Sequence, residues 1–167
     1  MSEACVKMKC LSVRQPWANA ICTAGKTVEN RVWYTAYRGP LLIHASQRIA
    51  WQAAREGPLA KRLQSVIAAG PMPTGAIIGV VLLLDVVEDS PSEWAEPDSW
   101  HWLLAEPRLL AEPIPFSGKL GIFEVAIPQD AALFQKKPCA EQGDEKLYIY
   151  LKRRIQCQLA RGVATCL

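Results

Sequence analysis

Hydrophobic positions along the chain switch between strand-like and helix-like spacing. Cys10–Val13 is short and β-prone, with Met8 as its extension. Pro16 then opens a helix that runs to Ala24. Proline is tolerated in a first turn, Trp17, Ala20, Ile21 and Ala24 recur at helical spacing, and Gly25 is a C-terminal stop. Between Lys26 and Trp33 the period is two. Val28 and Val32 fall on one face, and Thr27, Glu29, Arg31 and Trp33 on the other. Tyr34–Gly39 reads as a loop and Pro40–Ala45 as a largely buried strand. Ser46 is placed to cap a helix that starts near Arg48 and runs to Arg55. Leu59, Leu63, Val66 and Ile67 then mark a second amphipathic helix.

The longest apolar run, Ala76–Val87, is rich in β-branched residues and predicts the central strand of a sheet. Glu88–Pro97 is acidic and loop-like. Trp100–Leu104 predicts a strand, Glu106–Phe116 a proline-punctuated connection, and Lys119–Ile127 a last strand with Gly121 at a bulge. Strands and helices do not alternate strictly, which disfavours a doubly wound parallel sheet. The predicted fold class is α+β, a small mixed or antiparallel β-barrel with flanking helices over residues 8–128. The remainder, 129–167, reads as a C-terminal extension. There Leu147, Leu151, Ile155 and Leu159 step by four, with Lys152, Arg153, Arg154 and Arg161 between them, which predicts a basic amphipathic helix. Its apolar face could pack on the barrel or pair two copies into a homodimer.

Composition narrows the classes. Nineteen basic and 16 acidic residues give a net charge of +3, too little for duplex binding by counterion release alone. Six cysteines without a C-x-x-C pair, and two histidines, argue against a structural zinc site. No metal or cofactor is expected. The Ala76–Val87 run is too short to span a membrane, and Met1–Cys10 has no apolar signal-peptide core. A cytoplasmic, thiol-reducing setting with no membrane partner is the expectation.

Candidate chemistry concentrates in Leu11–Ser46. Glu29 and Arg31 share a strand face about 7 Å apart, with Lys26 placed at the strand mouth. A carboxylate between two cations orients them, and the three read as one wall of a polar cleft. Arg14-Gln15 precede a helix N-terminus, a setting that attracts anions. Asn30, Trp33, Arg38 and Ser46 lie on the same stretch. His44 ends a buried strand, where it could serve as base or donor. His101 lies between Trp100 and Trp102, a pattern that suits either base stacking or a core. No phosphate loop, dinucleotide fingerprint or metal motif is present.

Three pieces of this sequence resemble ASCH domains, a branch of the PUA-like superfamily. They are S-V-R-Q-P-W-A, G-K-T-V-E-N-R-V-W and Y-R-G-P-L-L-I-H-A-S, with support from the later W-H-W-L-L and P-I-P-F-S-G-K-L-G-I-F-E-V. The resemblance implies a β-barrel with flanking helices and a cleft for RNA or nucleotides. Arg14, Gln15, Lys26, Glu29 and Arg31 match the family's charged elements. On it rests the expectation of a binding module for single-stranded RNA or a nucleotide or nucleoside, lined by Arg14, Gln15, Lys26, Glu29, Asn30, Arg31, Trp33, Arg38, Ser46, His101 and Trp102. The alternative is a hydrolase of acylated nucleosides, or a ribonuclease, using Lys26, Glu29 and His44. Some relatives hydrolyse acylated cytidine with a Lys–Thr–Glu set; here Glu29 stands where they carry threonine.

Overall fold

The two apolar runs Pro40–Ala45 and Ala76–Val87 become the middle of a sheet. In the computed structural model residues 5–128 are described. Along them come β1 (Cys5–Gln15), α1 (Trp17–Thr23), β2 (Val28–Arg31), β3 (Gly39–Ile49), α2 (Trp51–Arg55), α3 (Ala60–Ala68), β4 (Ala76–Val87), β5 (Trp100–Pro115) and β6 (Ile122–Pro128). The six strands form one sheet in the order β2-β5-β4-β3-β1-β6. β1 and β3 run parallel, joined through α1 and β2, and every other neighbouring pair is antiparallel. The class is α+β with a mixed sheet. The extension from 129, with its expected helix, lies outside the described residues.

Strand alternation sorts the side chains into two cores. Leu41, Ile43 and Ala45 of β3 join Leu11, Ile78, Val81 and Trp102 on the face that α1 covers with Ala18, Ile21 and Cys22. Leu42 joins Cys10, Ile77, Leu110, Phe123 and Val125 on the other face. A third cluster, Ala20, Val28, Ala54, Leu63, Val66 and Trp94, fixes α2 and α3 against the outer side of α1. Gly79 lets α1 press close to β4. A Cβ there would lie 2.6 Å from the Arg108 carbonyl and 2.8 Å from Cys22 Sγ.

Three expectations are corrected. First, the pairings do not close the sheet into a barrel: β2 and β6 are its two edges and do not pair with each other. Second, β5 is one 16-residue strand where a connection was expected after Leu104. Two of its three prolines fall where the ladder slips, Pro107 between paired Ala105 and Arg108 and Pro113 between paired Leu109 and Ile114, and Pro115 ends the strand opposite Ala76. Proline lacks the ladder donor and is accommodated at such irregularities. Third, β3 runs on to Ile49, so Ser46 lies within a strand and caps nothing; its hydroxyl donates to the Arg48 carbonyl at 3.4 Å. Among the described residues no helix is long and apolar enough to cross a membrane.

Candidate functional site

The site begins at the end of α1. Gly25 takes a left-handed backbone, φ +69°, in open space, so conformation and not room demands glycine there. The turn returns the Lys26 N–H to the Ala20 carbonyl at 3.1 Å, a closure common at glycine-terminated helices. This folds the Lys26 side chain inward instead of leaving it at a mouth. Lys26 is 2% exposed, against the expected position at the rim. Its Nζ lies 5.6 Å from the centre of the Trp17 ring, donates to the Val28 carbonyl, and donates to Glu29 Oε2 at 2.7 Å.

Glu29 and Arg31 share a face of β2, as the alternation required. Glu29 Oε1 is 3.2 Å from Arg31 Nη2, and that same nitrogen donates to the Ser12 carbonyl at 2.7 Å. β6 stops pairing with β1 at Leu11, one residue before that carbonyl. Arg31 thus links edge strand β2 to β1 across the gap where the sheet fails to close. Side-chain exposure rises along the series, from 1% at Lys26 to 10% at Glu29 and 23% at Arg31. The cluster is buried at its lysine end and open at its arginine end.

Trp102 forms the floor. It pairs directly with Glu29 across β2 and β5, so their side chains share a face, and Trp33 packs edge-on against it at 4.7 Å. Two buried donors on this face, Arg31 Nε and Trp102 Nε1, have no hydrogen-bond partner. Leaving such a group unpaired costs about 1–3 kcal/mol. Among the described residues no group of three or more His, Cys, Asp or Glu could hold a metal ion. Burial pushes the nearby Cys22 thiol up to about 12, which leaves it a poor nucleophile.

The model of the ASCH domain family matches residues 11–117, which contain this whole cluster. The chain belongs to the ASCH domain family. Among its relatives is activating signal cointegrator 1 of mouse, 30% identical over 127 residues, covering 70% of this chain and 22% of that protein. The human protein of the same name is 32% identical over 127 residues, with the same coverage. The chain therefore spans about a fifth of the length of these relatives.

Within this ASCH domain the other predicted site residues separate from the triad. His44 lies on the opposite face of the sheet, 1% exposed, with its ring against Phe123. Its Nε2 donates to the Phe116 carbonyl at 2.9 Å, so Nδ1 faces the Ser12 hydroxyl at 3.1 Å as acceptor. Lys26, Glu29 and His44 are not brought together. Gln15 is fully buried and saturated. Its Nε2 donates to Asn19 Oδ1 and the Pro73 carbonyl, and its Oε1 accepts the Asn19 N–H at 3.0 Å. One of the helix N–H groups expected to attract an anion, that of Asn19, is therefore already occupied. Arg14 is exposed. Asn30 ties down the β4–β5 loop through the Trp94 carbonyl and the Glu96 N–H. His101 lies on that same outer side of β5 and donates to the Glu96 carbonyl. Arg38 grips Asp85 and two loop carbonyls. Trp102 has no exposed surface, so its ring offers a ligand no stacking face. Sequence reasoning missed Trp17, which helical spacing assigned wholly to packing, and the Ser12 carbonyl, a backbone group without a sequence signature.

Proposed function

We propose that this ASCH domain binds RNA or a nucleotide at the Lys26–Glu29–Arg31 cluster, with a base entering at the Arg31 end. The observation that carries the reading is the pair of unpartnered donors, Arg31 Nε and Trp102 Nε1, on the face of Glu29. Donors beside a carboxylate complement a nucleobase edge, which presents acceptors next to N–H donors. Lys26 donates to Glu29 Oε2 at 2.7 Å and so orients the carboxylate from below. Glu29 Oε2 accepts the Lys26 bond and Oε1 is ion-paired with Arg31, and both oxygens keep lone-pair capacity for a base N–H. Half-buried Trp33 is placed to offer ring surface at the entrance.

A binding role suits the cluster better than hydrolysis by Lys26, Glu29 and His44. The histidine is on the other face with both ring nitrogens engaged, and the lysine ammonium is committed to Glu29 and a carbonyl. The test is titration of the full chain with nucleoside 5′-monophosphates and short single-stranded RNA, followed by tryptophan fluorescence. Arg31→Ala is expected to weaken binding by roughly tenfold or more, the loss of a charge-assisted contact. Unchanged affinity in Arg31→Ala, or no binding of either ligand by the unmodified protein, refutes the reading.

A further inference from the structure

The two edges of the sheet are finished differently. β2 is four residues long, and a very short edge gives an incoming strand little to pair with. β6 is seven residues long and pairs with β1 along its whole length, from Cys5↔Pro128 to Leu11↔Ile122, without a bulge. On its outer side nothing pairs with it among the described residues. It ends the strand order, and no backbone hydrogen bond outside the ladders involves residues 122–128. Edges are usually blunted by brevity, lysine, proline or a bulge. In β6 proline comes only at the last position, and the single charge, Glu124, is held by Lys9 of β1 at 3.1 Å. The strand therefore presents a straight, unguarded row of backbone donors and acceptors. Its two faces are also sorted. Phe123, Val125 and Ile127 are buried in the second core with Cys10 and Leu42. Glu124 and Ala126 are exposed on the other face, where Lys9 stands opposite Glu124 and exposed Lys7 opposite Ala126.

We infer that β6 is the contact of a two-fold symmetric dimer, in which the β6 strands of two copies pair antiparallel about Val125. The inference is independent of the base-binding reading. This register aligns the whole strand with itself: Ile122 lies opposite Pro128 of the second copy, Phe123 opposite its Ile127, and Glu124 opposite its Ala126. The contact is the same patch on both copies, as a two-fold requires. On one face Phe123 and Ile127 join the two apolar cores across the seam. On the other, Glu124 meets the small Ala126 of the second copy. Beyond that alanine stands Lys7 of the same copy, two strand spacings or about 10 Å from Glu124. Alanine is too short to separate them, so the carboxylate gains a second cation. The two Glu124 residues lie on a diagonal about 8 Å apart, each kept by its own Lys9. Neighbouring registers are worse. Centring on Glu124 sets the two carboxylates directly opposite, and centring on Ala126 leaves Phe123 outside the pairing. A second copy fits better than an unrelated strand because β6 and β1 supply both halves of each match, apolar against apolar and glutamate against lysine.

The experiment measures the mass of the full chain by sedimentation equilibrium across a wide concentration range, for the unmodified protein and for Ala126→Glu and Ala126→Lys. Position 126 is exposed, so either side chain is accommodated in the single copy, and thermal melting checks that both variants fold. Within one copy a glutamate there faces Lys7, so the change does not burden the fold. In the dimer it sets a carboxylate opposite Glu124 of the second copy, twice by symmetry, and should raise the dimer Kd by roughly tenfold or more. Ala126→Lys sets an ammonium in the same place and should lower the Kd. The opposite signs separate this register from a contact made elsewhere on the chain. Hydrogen exchange of residues 122–128 should slow as the unmodified protein is concentrated. A chain that stays monomeric at every concentration overturns the inference. So does a dimer that both variants leave unchanged, which would pair through another surface, and so does exchange at 122–128 that does not respond to concentration.

Discussion

Two buried polar clusters flank α1, and they differ in one respect. At its start, Gln15 and Asn19 bond to each other and to the carbonyls of Pro71 and Pro73. The cluster is neutral and its geometry is complete, so it can fasten the 71–74 loop to β1 and do nothing more. At the other end, Lys26, Glu29 and Arg31 are charged, and their face retains two donors without partners. Burying charge is expensive unless paired, and an apolar replacement of similar volume is often no less stable. The first cluster is what architecture requires. The second carries charge and unmet donors that architecture alone does not need, and that incompleteness is the reason it is proposed as the site.

The largest effect should come from Glu29→Ala. It leaves the Lys26 ammonium buried without its carboxylate, which costs about 3–5 kcal/mol. Denaturant midpoints at constant slope measure it. The same comparison is sharpened by the double variant Lys26→Met/Glu29→Leu, which should recover most of that loss while ligand binding stays abolished. A double variant as unstable as Glu29→Ala would make the charges structural, and the contrast between the clusters would collapse.

Next comes Gln15→Ala. It strands the Asn19 N–H and the Pro73 carbonyl and should cost about 2–3 kcal/mol. Binding per folded molecule should be unchanged, measured by titration at a temperature where the variant remains folded. Arg31→Ala reverses the pattern. Its half-open guanidinium contributes about 1 kcal/mol or less to stability, while ligand affinity falls as stated above. If Gln15→Ala altered binding and Arg31→Ala did not, the roles of the two clusters would be exchanged.

Much of this was legible from pattern. β4 was marked to the residue by its apolar run, and α3 by its amphipathic repeat. The pairing of Glu29 with Arg31 followed from period two. What the pattern could not reach was non-local. The family resemblance implied a barrel, yet the closing contact is one arginine side chain on a carbonyl, and no ladder joins β2 to β6. β5 was cut short because its prolines looked like breakers, when extra residues on β5 at two register slips take in Pro107 and Pro113. Lys26 looked exposed because lysine usually is; the Gly25 turn and the Trp17 ring take it inside. His44 looked catalytic because its strand is adjacent in sequence to the charged stretch. A strand has two faces, and odd–even position put His44 on the wrong one.

The smallest effect concerns the third charged contact of the region, Arg38 with Asp85, which is exposed. The Asp85 carboxyl is held below its ordinary value of 3.8, first by the Val86 N–H and then by the Arg38 guanidinium. The folded state therefore favours the carboxylate over the unfolded chain. Its contribution is fully present above the ordinary value and is lost as pH falls through the lower folded value. Asp85→Asn removes the charge and with it that dependence. The expected result is a small stability gap between the two proteins near neutral pH that closes in strong acid, read from urea midpoints across the range. A gap that persisted in acid would mean that the contact does not depend on ionisation. Arg38 also bonds the Thr35 and Tyr37 carbonyls and so holds its loop rather than a ligand. Asp85→Asn should accordingly leave RNA affinity and its salt slope unchanged, because releasing a cation that took no part in binding gives the ligand nothing new to contact. A rise in affinity would place Arg38 at the ligand, and would extend the incomplete cluster to a residue that this comparison assigns to architecture.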